Sequence, residues 1–388
     1  MLSQASPRCI ERERQALLSF QQGVIDHYNR LSSGTTIRED CCAWYGITCD
    51  NRTNRVITLD LNPFSHGDAW YSIGGDIDSS LVELRNLKHL DLSFNDFTRI
   101  PKYIGSLTKV TYLNLARNNG MSGSIPSQIG NLTGLRWLDL CNNFLVKEPP
   151  WKSVPNIGAF SYDLEELFLD GNSFEGPLPE SYKVVANNQL NGSSRDSVGH
   201  LHSVEILDVS LNSFTGAVSE LHLEKLSELK TLDLSLSPLT SNFSSNWVPP
   251  FQLNTMALSS CKFGPQFPNW LRNQFNLFYL DTSDNVISQP IPNWFCNVSS
   301  KLQYLYLSFN YINGMMPNFP LTSTFDREVD LSCNQIHGLI PPSLSNATEP
   351  NLSNNVFTKL EHFLWLRFLD VGDNKLNGQA PKWTGESL

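Results

Sequence analysis

No stretch of the chain approaches the roughly 18 consecutive apolar residues of a membrane-spanning helix. Met1 to Pro7 carries no apolar core of the kind a secretory signal needs. Positive charge is in short supply. Against 38 Asp and Glu stand 28 Lys and Arg, a formal charge of -10, which argues against nucleic acid and against a polybasic membrane patch. The motifs of chemistry are missing too: no nucleophile elbow, phosphate-binding loop or metal-binding motif is present. His200 and His202 are the nearest thing to a ligand pair. They lack a third partner and read as loop histidines. The expectation is a non-enzymatic protein without metal or cofactor.

What is present points outside the cell. Of 8 cysteines, Cys9, Cys41, Cys42 and Cys49 cluster at the start. Two bridges are expected there, Cys9–Cys41 and Cys42–Cys49, although spacing alone leaves other pairings open. Cys141, Cys261, Cys296 and Cys333 have no evident partner. Sequons stand at Asn51, Asn131, Asn191, Asn242, Asn297, Asn346 and Asn351. Cysteine cluster and sequons together indicate an oxidising, extracytoplasmic setting.

The dominant feature is an internal repeat. In Leu164 to Pro179, LEELFLDGNSFEGPLP, apolar residues at Leu164, Leu167 and Leu169 are followed by Asn172, Phe174, Gly176 and Pro179. Equivalent markers follow at Asn95, Asn118, Asn143, Asn172, Asn188, Asn212, Ser237, Cys261, Asn285, Asn310, Asn334, Asn355 and Asn374, mostly 23–25 residues apart. That period lies in the leucine-rich-repeat range. Leu167 and Leu169 should face inward and Phe168 outward, as strand alternation requires. The Asn should bond backbone of the turn that follows, stacked repeat on repeat, with Ser237 and Cys261 as small polar substitutes. Phe174 should fill the interior. Gly176 and its counterparts Gly123, Gly314, Gly338 and Gly378 permit a tight backbone. No single repeat buries its own apolar face, so the fold class is an α/β solenoid. Its strands would form a parallel sheet on the concave face of a right-handed superhelix.

Two regions divide the chain. Residues 1–54 are expected to be a capping domain, with a helix from Glu11 to Asp26 presenting Leu17, Phe20 and Val24. Trp44 and Ile47 would cover the end of the first repeat. Residues 55–388 are expected to be a solenoid of about 13 repeats. Loops are expected at Asn62–Tyr71 and around Glu148–Pro155. Asn172 to Asn188 is only 16 residues, with Lys183 where a leucine belongs; Asn334 to Asn355 is 21, with Pro350 inward. Distortion is expected near 180–190 and 345–365. With no closing cysteine pair before Leu388, the chain reads as a fragment or a faulty gene model.

Outward strand positions offer a recognition surface. Four residues before the markers stand Asp91, Asp139, Asp208, Asp233, Asp281, Asp330 and Asp370, with Phe168 and Tyr306 as exceptions. Six before stand Tyr112, Trp137, Tyr279, Tyr304 and Phe368. Aromatics anchor and charges select. The alternative is that the aspartates serve lateral hydrogen bonds of the repeat itself. Tyr279, Asp281, Tyr304, Tyr306 and Phe309, taken as two neighbouring strands, form the strongest local candidate for a protein or peptide contact.

The cysteine-bearing cap, CCAWYGITC, followed by L-x-x-L-x-L-x-x-N-x-F-x-G-x-I-P repeats, resembles plant extracellular leucine-rich-repeat proteins. The opening CIERERQALLSF is similar to membrane-anchored receptor-like proteins, notably the xylanase-sensing type. The resemblance implies an extracellular position at the plasma membrane. It also implies a protein or peptide ligand, such as a microbial elicitor, and a partner co-receptor kinase. A secreted inhibitor of microbial cell-wall hydrolases and a non-functional gene fragment are the competing readings.

Overall fold

A computed structural model describes residues 9–34, 40–67, 71–146, 164, 166–176, 185–193, 204–318, 327–342, 344, 347–360 and 368–377. Lys183, His200, His202, Asn346, Gly378 and the segment around Glu148–Pro155 lie outside the described residues. Two compact units divide the chain. Unit one comprises Met1–Gly176 and Val184–Gln189, and unit two comprises Pro177–Lys183 and Leu190–Leu388.

Unit one opens with helix α1, Glu11–Gly23. Glu11 and Glu13 lie in its first turn, where carboxylates oppose the positive end of the helix dipole. Ala16, Leu17 and Phe20 are buried. The helix is shorter than the periodicity suggests. Val24 is already extended, because Ile25 bridges antiparallel to Gly74. Val24 therefore does not join Leu17 and Phe20 on a helical face. Cys9 is bonded to Cys41 and Cys42 to Cys49. Strand β1, Ile47–Cys49, runs antiparallel to β2, Val56–Asp60. Trp44 and Leu59 are buried nearby. Four parallel strands continue the sheet: β3, His89–Asp91; β4, Tyr112–Asn114; β5, Trp137–Asp139; and β6, Glu166–Phe168.

Unit two has its own parallel sheet: β7, Ile206–Asp208; β8, Thr231–Asp233; β9, Thr255–Ala257; β10, Tyr279–Asp281; β11, Tyr304–Tyr306; β12, Glu328–Asp330; and β13, Glu349–Asn351. Its strands pair in the same register throughout: Leu207, Leu232, Met256, Leu280, Leu305, Val329 and Pro350 stand side by side and are buried. On the return side of the repeats, short parallel pairs form, such as Ser122–Gly123 with Phe144–Leu145 and His337–Leu339 with Val356–Lys359. The periodicity did not announce these second strands.

The marker asparagines form the ladder. Asn118 Nδ2 donates to Leu92 O at 3.1 Å and Leu115 O at 2.9 Å, and its Oδ1 accepts from Phe97 N at 3.1 Å. Asn143, Asn285, Asn310 and Asn334 repeat the pattern. Each bonds its own turn and the one before it, so buried backbone groups are satisfied without water. Cys261 Sγ donates to Leu234 O, and Ser237 Oγ to Asn212 O. The residue before each marker is left-handed: Phe94, Arg117, Asn142, Gly171, Leu211, Leu236, Ser260, Asp284, Phe309 and Cys333 all have φ between 52° and 64°. Gly123, Gly314 and Gly338 are left-handed as well, at 82°, 82° and 89°.

The ladder bonds persist at the markers that end both shortened spacings. Asn188 Oδ1 accepts from Phe174 N, and its Nδ2 donates to Leu169 O and Ala186 O. In the strand before Asn355, Glu349–Asn351 keeps the regular register with Glu328–Asp330. Pro350 is buried opposite Val329, and Asn355 Nδ2 reaches Leu331 O at 2.8 Å. Proline fits there because the inward side chain needs only to be apolar.

Candidate functional site

The residues six before each marker present a row of rings. In unit one, His89 and Tyr112 stack at 4.1 Å and 8°, Tyr112 and Trp137 at 5.7 Å and 14°, and Trp137 meets Phe168 at 5.0 Å. His89 and Tyr112 cover one another's faces, whereas Phe168 is inclined at 47° to Trp137. His89 is a fourth member that composition did not single out. Phe168 stands in register with Asp139 and reaches Trp137 diagonally.

In unit two the rings are looser. Tyr279 lies 6.0 Å from Tyr304 and 5.6 Å from Tyr306, with planes inclined at 41° and 52°. Phe278 meets Tyr304 edge-on at 5.4 Å. Tyr306 OH donates to Glu328. Burial, then the charges of Asp281, Asp233 and Glu328, push the Tyr279 phenol up to about 12. Burial and the bond to Glu328 raise Tyr306 in the same direction. Both phenols stay protonated donors at any physiological pH. Phe309 is not on a strand. It occupies the left-handed turn position after β11 and is 63% exposed.

The aspartates have a local task. Oδ1 of Asp91, Asp139, Asp208, Asp233, Asp281 and Asp330 accepts the N–H of the residue two ahead, at 2.9–3.0 Å. Asn114 and Asn351 do the same for Ala116 and Ser353. These are Asx turns that lead the chain out of the strand. These bonds run along the repeat and give the aspartates a turn-forming role; Asp91 also takes the lateral bond of the alternative reading, its Oδ2 accepting from Asn114 Nδ2 on the next strand at 3.3 Å. The carboxylates also crowd each other. Burial first, and then Asp208 and Asp281, hold the Asp233 carboxyl above its ordinary value; burial first, and later Asp60, do so for Asp91.

Asn51, Asn131, Asn191, Asn242 and Asn297 are exposed. Asn351 lies within β13 and is half-buried, with Oδ1 engaged by Ser353. Cys141, Cys261, Cys296 and Cys333 are free thiols. Among the described residues no helix is long and apolar enough to cross a membrane.

The leucine rich repeat N-terminal domain matches residues 10–50. The leucine rich repeat matches residues 86–107, 109–132, 301–321 and 327–347. Receptor-like protein EIX1 of Solanum lycopersicum is 25% identical over 86% of this chain and 55% of its own length. Receptor-like protein EIX2 of the same species is 26% identical over 96% of this chain and 60% of its own. The chain thus spans little more than half the length of these relatives. A crystal structure of PEPR1–AtPEP1 superposes with a TM-score of 0.73 at 26% identity, covering 96% of this chain and 53% of that one. The chain has the leucine-rich-repeat fold and is similar to the plant receptor-like proteins.

Proposed function

We propose that this chain is a non-enzymatic recognition module of a plant cell-surface immune receptor-like protein. It works on the extracellular face of the plasma membrane together with a co-receptor kinase. Its ligand is a protein or peptide, a microbial elicitor in the first instance. The observation that carries the reading is the tyrosine group on β10 and β11, Tyr279, Tyr304 and Tyr306. Three half-buried phenols stand on adjacent strands where stability of the repeat asks for none. Large rings with a polar tip give contact area at little entropic cost, which suits them to recognition. The rings Tyr112, Trp137 and Phe168, on the sheet of unit one, are assigned as a second contact region.

The test is retention of a ligand from microbial culture filtrate by the purified full chain. A Tyr279→Ala, Tyr304→Ala, Tyr306→Ala variant should lose retention while its melting curve stays cooperative. Equal retention by a folded variant would remove the tyrosine group from the site.

A further inference from the structure

The seven strands of unit two's main sheet read ILD, TLD, TMA, YLD, YLY, EVD and EPN, without a single lysine or arginine. Around the tyrosines this leaves Asp281 beside Tyr306, Glu328 beside Tyr304, and Asp330 beside Tyr306 on the far side. Asp233 and Glu349 continue the acidic border outward. Ion pairs among the described residues all belong to unit one: Arg12–Glu83, Arg14–Glu11, Arg55–Glu13, His66–Asp60 and Arg99–Asp76. The carboxylates bordering the tyrosines therefore carry charge that no described cation of this chain answers.

We infer that the β10–β12 face docks a basic polypeptide segment, one that presents arginine or lysine to the tyrosine group. The inference rests on the recognition reading above and specifies the chemistry of its ligand. Aromatic rings attract a cation over their faces, and arginine both stacks on a ring and bonds carboxylates with its fork of donors. Tyr279, Tyr304 and Tyr306 are inclined to one another and not flush, so ring faces remain for a guanidinium. Asp281, Glu328 and Asp330 then stand one strand away to receive its N–H groups. A neutral or acidic segment would desolvate these carboxylates with nothing in return.

The chain itself supplies a substitution that separates charge from folding. Asn114 and Asn351 hold the same turn as the aspartates. Asp281→Asn with Asp330→Asn should keep both turns and remove both charges. The experiment selects peptides from a random-sequence displayed library on the immobilised full chain, then measures affinities of synthesised winners. Enriched peptides should be rich in arginine and lysine. The double variant should bind them about five- to ten-fold more weakly at an unchanged melting temperature. Added salt should weaken the parent more than the variant. Glu224→Gln with Glu228→Gln, exposed carboxylates outside the strands, should leave affinity unaltered. Neutral or acidic winners that need Tyr304, or basic winners indifferent to the double variant, would overturn the charge assignment and leave the site standing. Winners indifferent to Tyr304→Ala, or no enrichment at all, would overturn the recognition reading as well.

Discussion

Asn310 shows what one side chain does in this fold. Its Nδ2 donates to Thr282 O, Leu307 O and Ser308 O, and its Oδ1 accepts from Asn285 N and Ile287 N. Asn310→Ala would leave these buried groups without partners. The expected cost is about 2–4 kcal/mol, measured by chemical denaturation. The requirement is why the markers were readable in the sequence: a backbone need dictates the side-chain type. The aspartates were harder. A recurring outward Asp is equally expected of a turn and of a binding face, and Asp281, read as a contact residue, also serves its turn. For Asp233 the folded carboxyl titrates above its unfolded value. The folded state therefore holds the proton more tightly, and stability falls as pH rises through that window. Asp233→Asn keeps an acceptor for Ser235 N. Denaturation across acid to neutral pH should show that the variant loses this decline.

Between elements, the N-terminal domain is tied to the repeats by a residue the sequence did not flag. Arg30 is buried. It donates to Asn95 Oδ1 at 3.2 Å, Leu61 O at 3.0 Å, Tyr71 O at 2.8 Å and Tyr45 OH at 2.7 Å. Asn95 is the first marker, so the capping region itself occupies that ladder group. Arg30→Met should destabilise unit one by about 3 kcal/mol, through orphaned carbonyls and a lost charged donor. Hydrogen exchange at Ile73, whose N–H also bonds Asn95 Oδ1, would report the loss locally. An arginine in a polar loop looks like a solvated charge when only the chain is in view. Burial came from a contact 65 residues away. Helix α1 was legible from its apolar spacing, but its end was not. The Ile25–Gly74 bridge that ends it is also remote in sequence.

At the scale of the whole molecule, a repeat is legible because each turn solves the same packing problem with nearest neighbours only. Fold class followed from period and marker alone. The ligand did not, because outward positions are free of that problem and carry no rule of spacing. Glycans belong to this scale too. Secreted from plant cells, the chain should carry them on the exposed Asn51, Asn131, Asn242 and Asn297. Asn351 should be the least occupied of these in the folded product, since its side chain is half-buried in a strand. Site-by-site mass spectrometry of the secreted product would decide, and full occupancy at Asn351 would count against the strand's being closed to modification.

The left-handed residue before each marker has one more consequence. Leu211, Leu236 and Phe309 occupy it while 45%, 48% and 63% exposed, so their bulk does not stabilise the turn that strains them. Phe309→Gly should raise the melting temperature, by the equivalent of roughly 1 kcal/mol. A residue that tolerates such tension without reward at home is a natural place for novelty: unit two can exchange these side chains coil by coil, trying out new neighbours while its interior stays as it was.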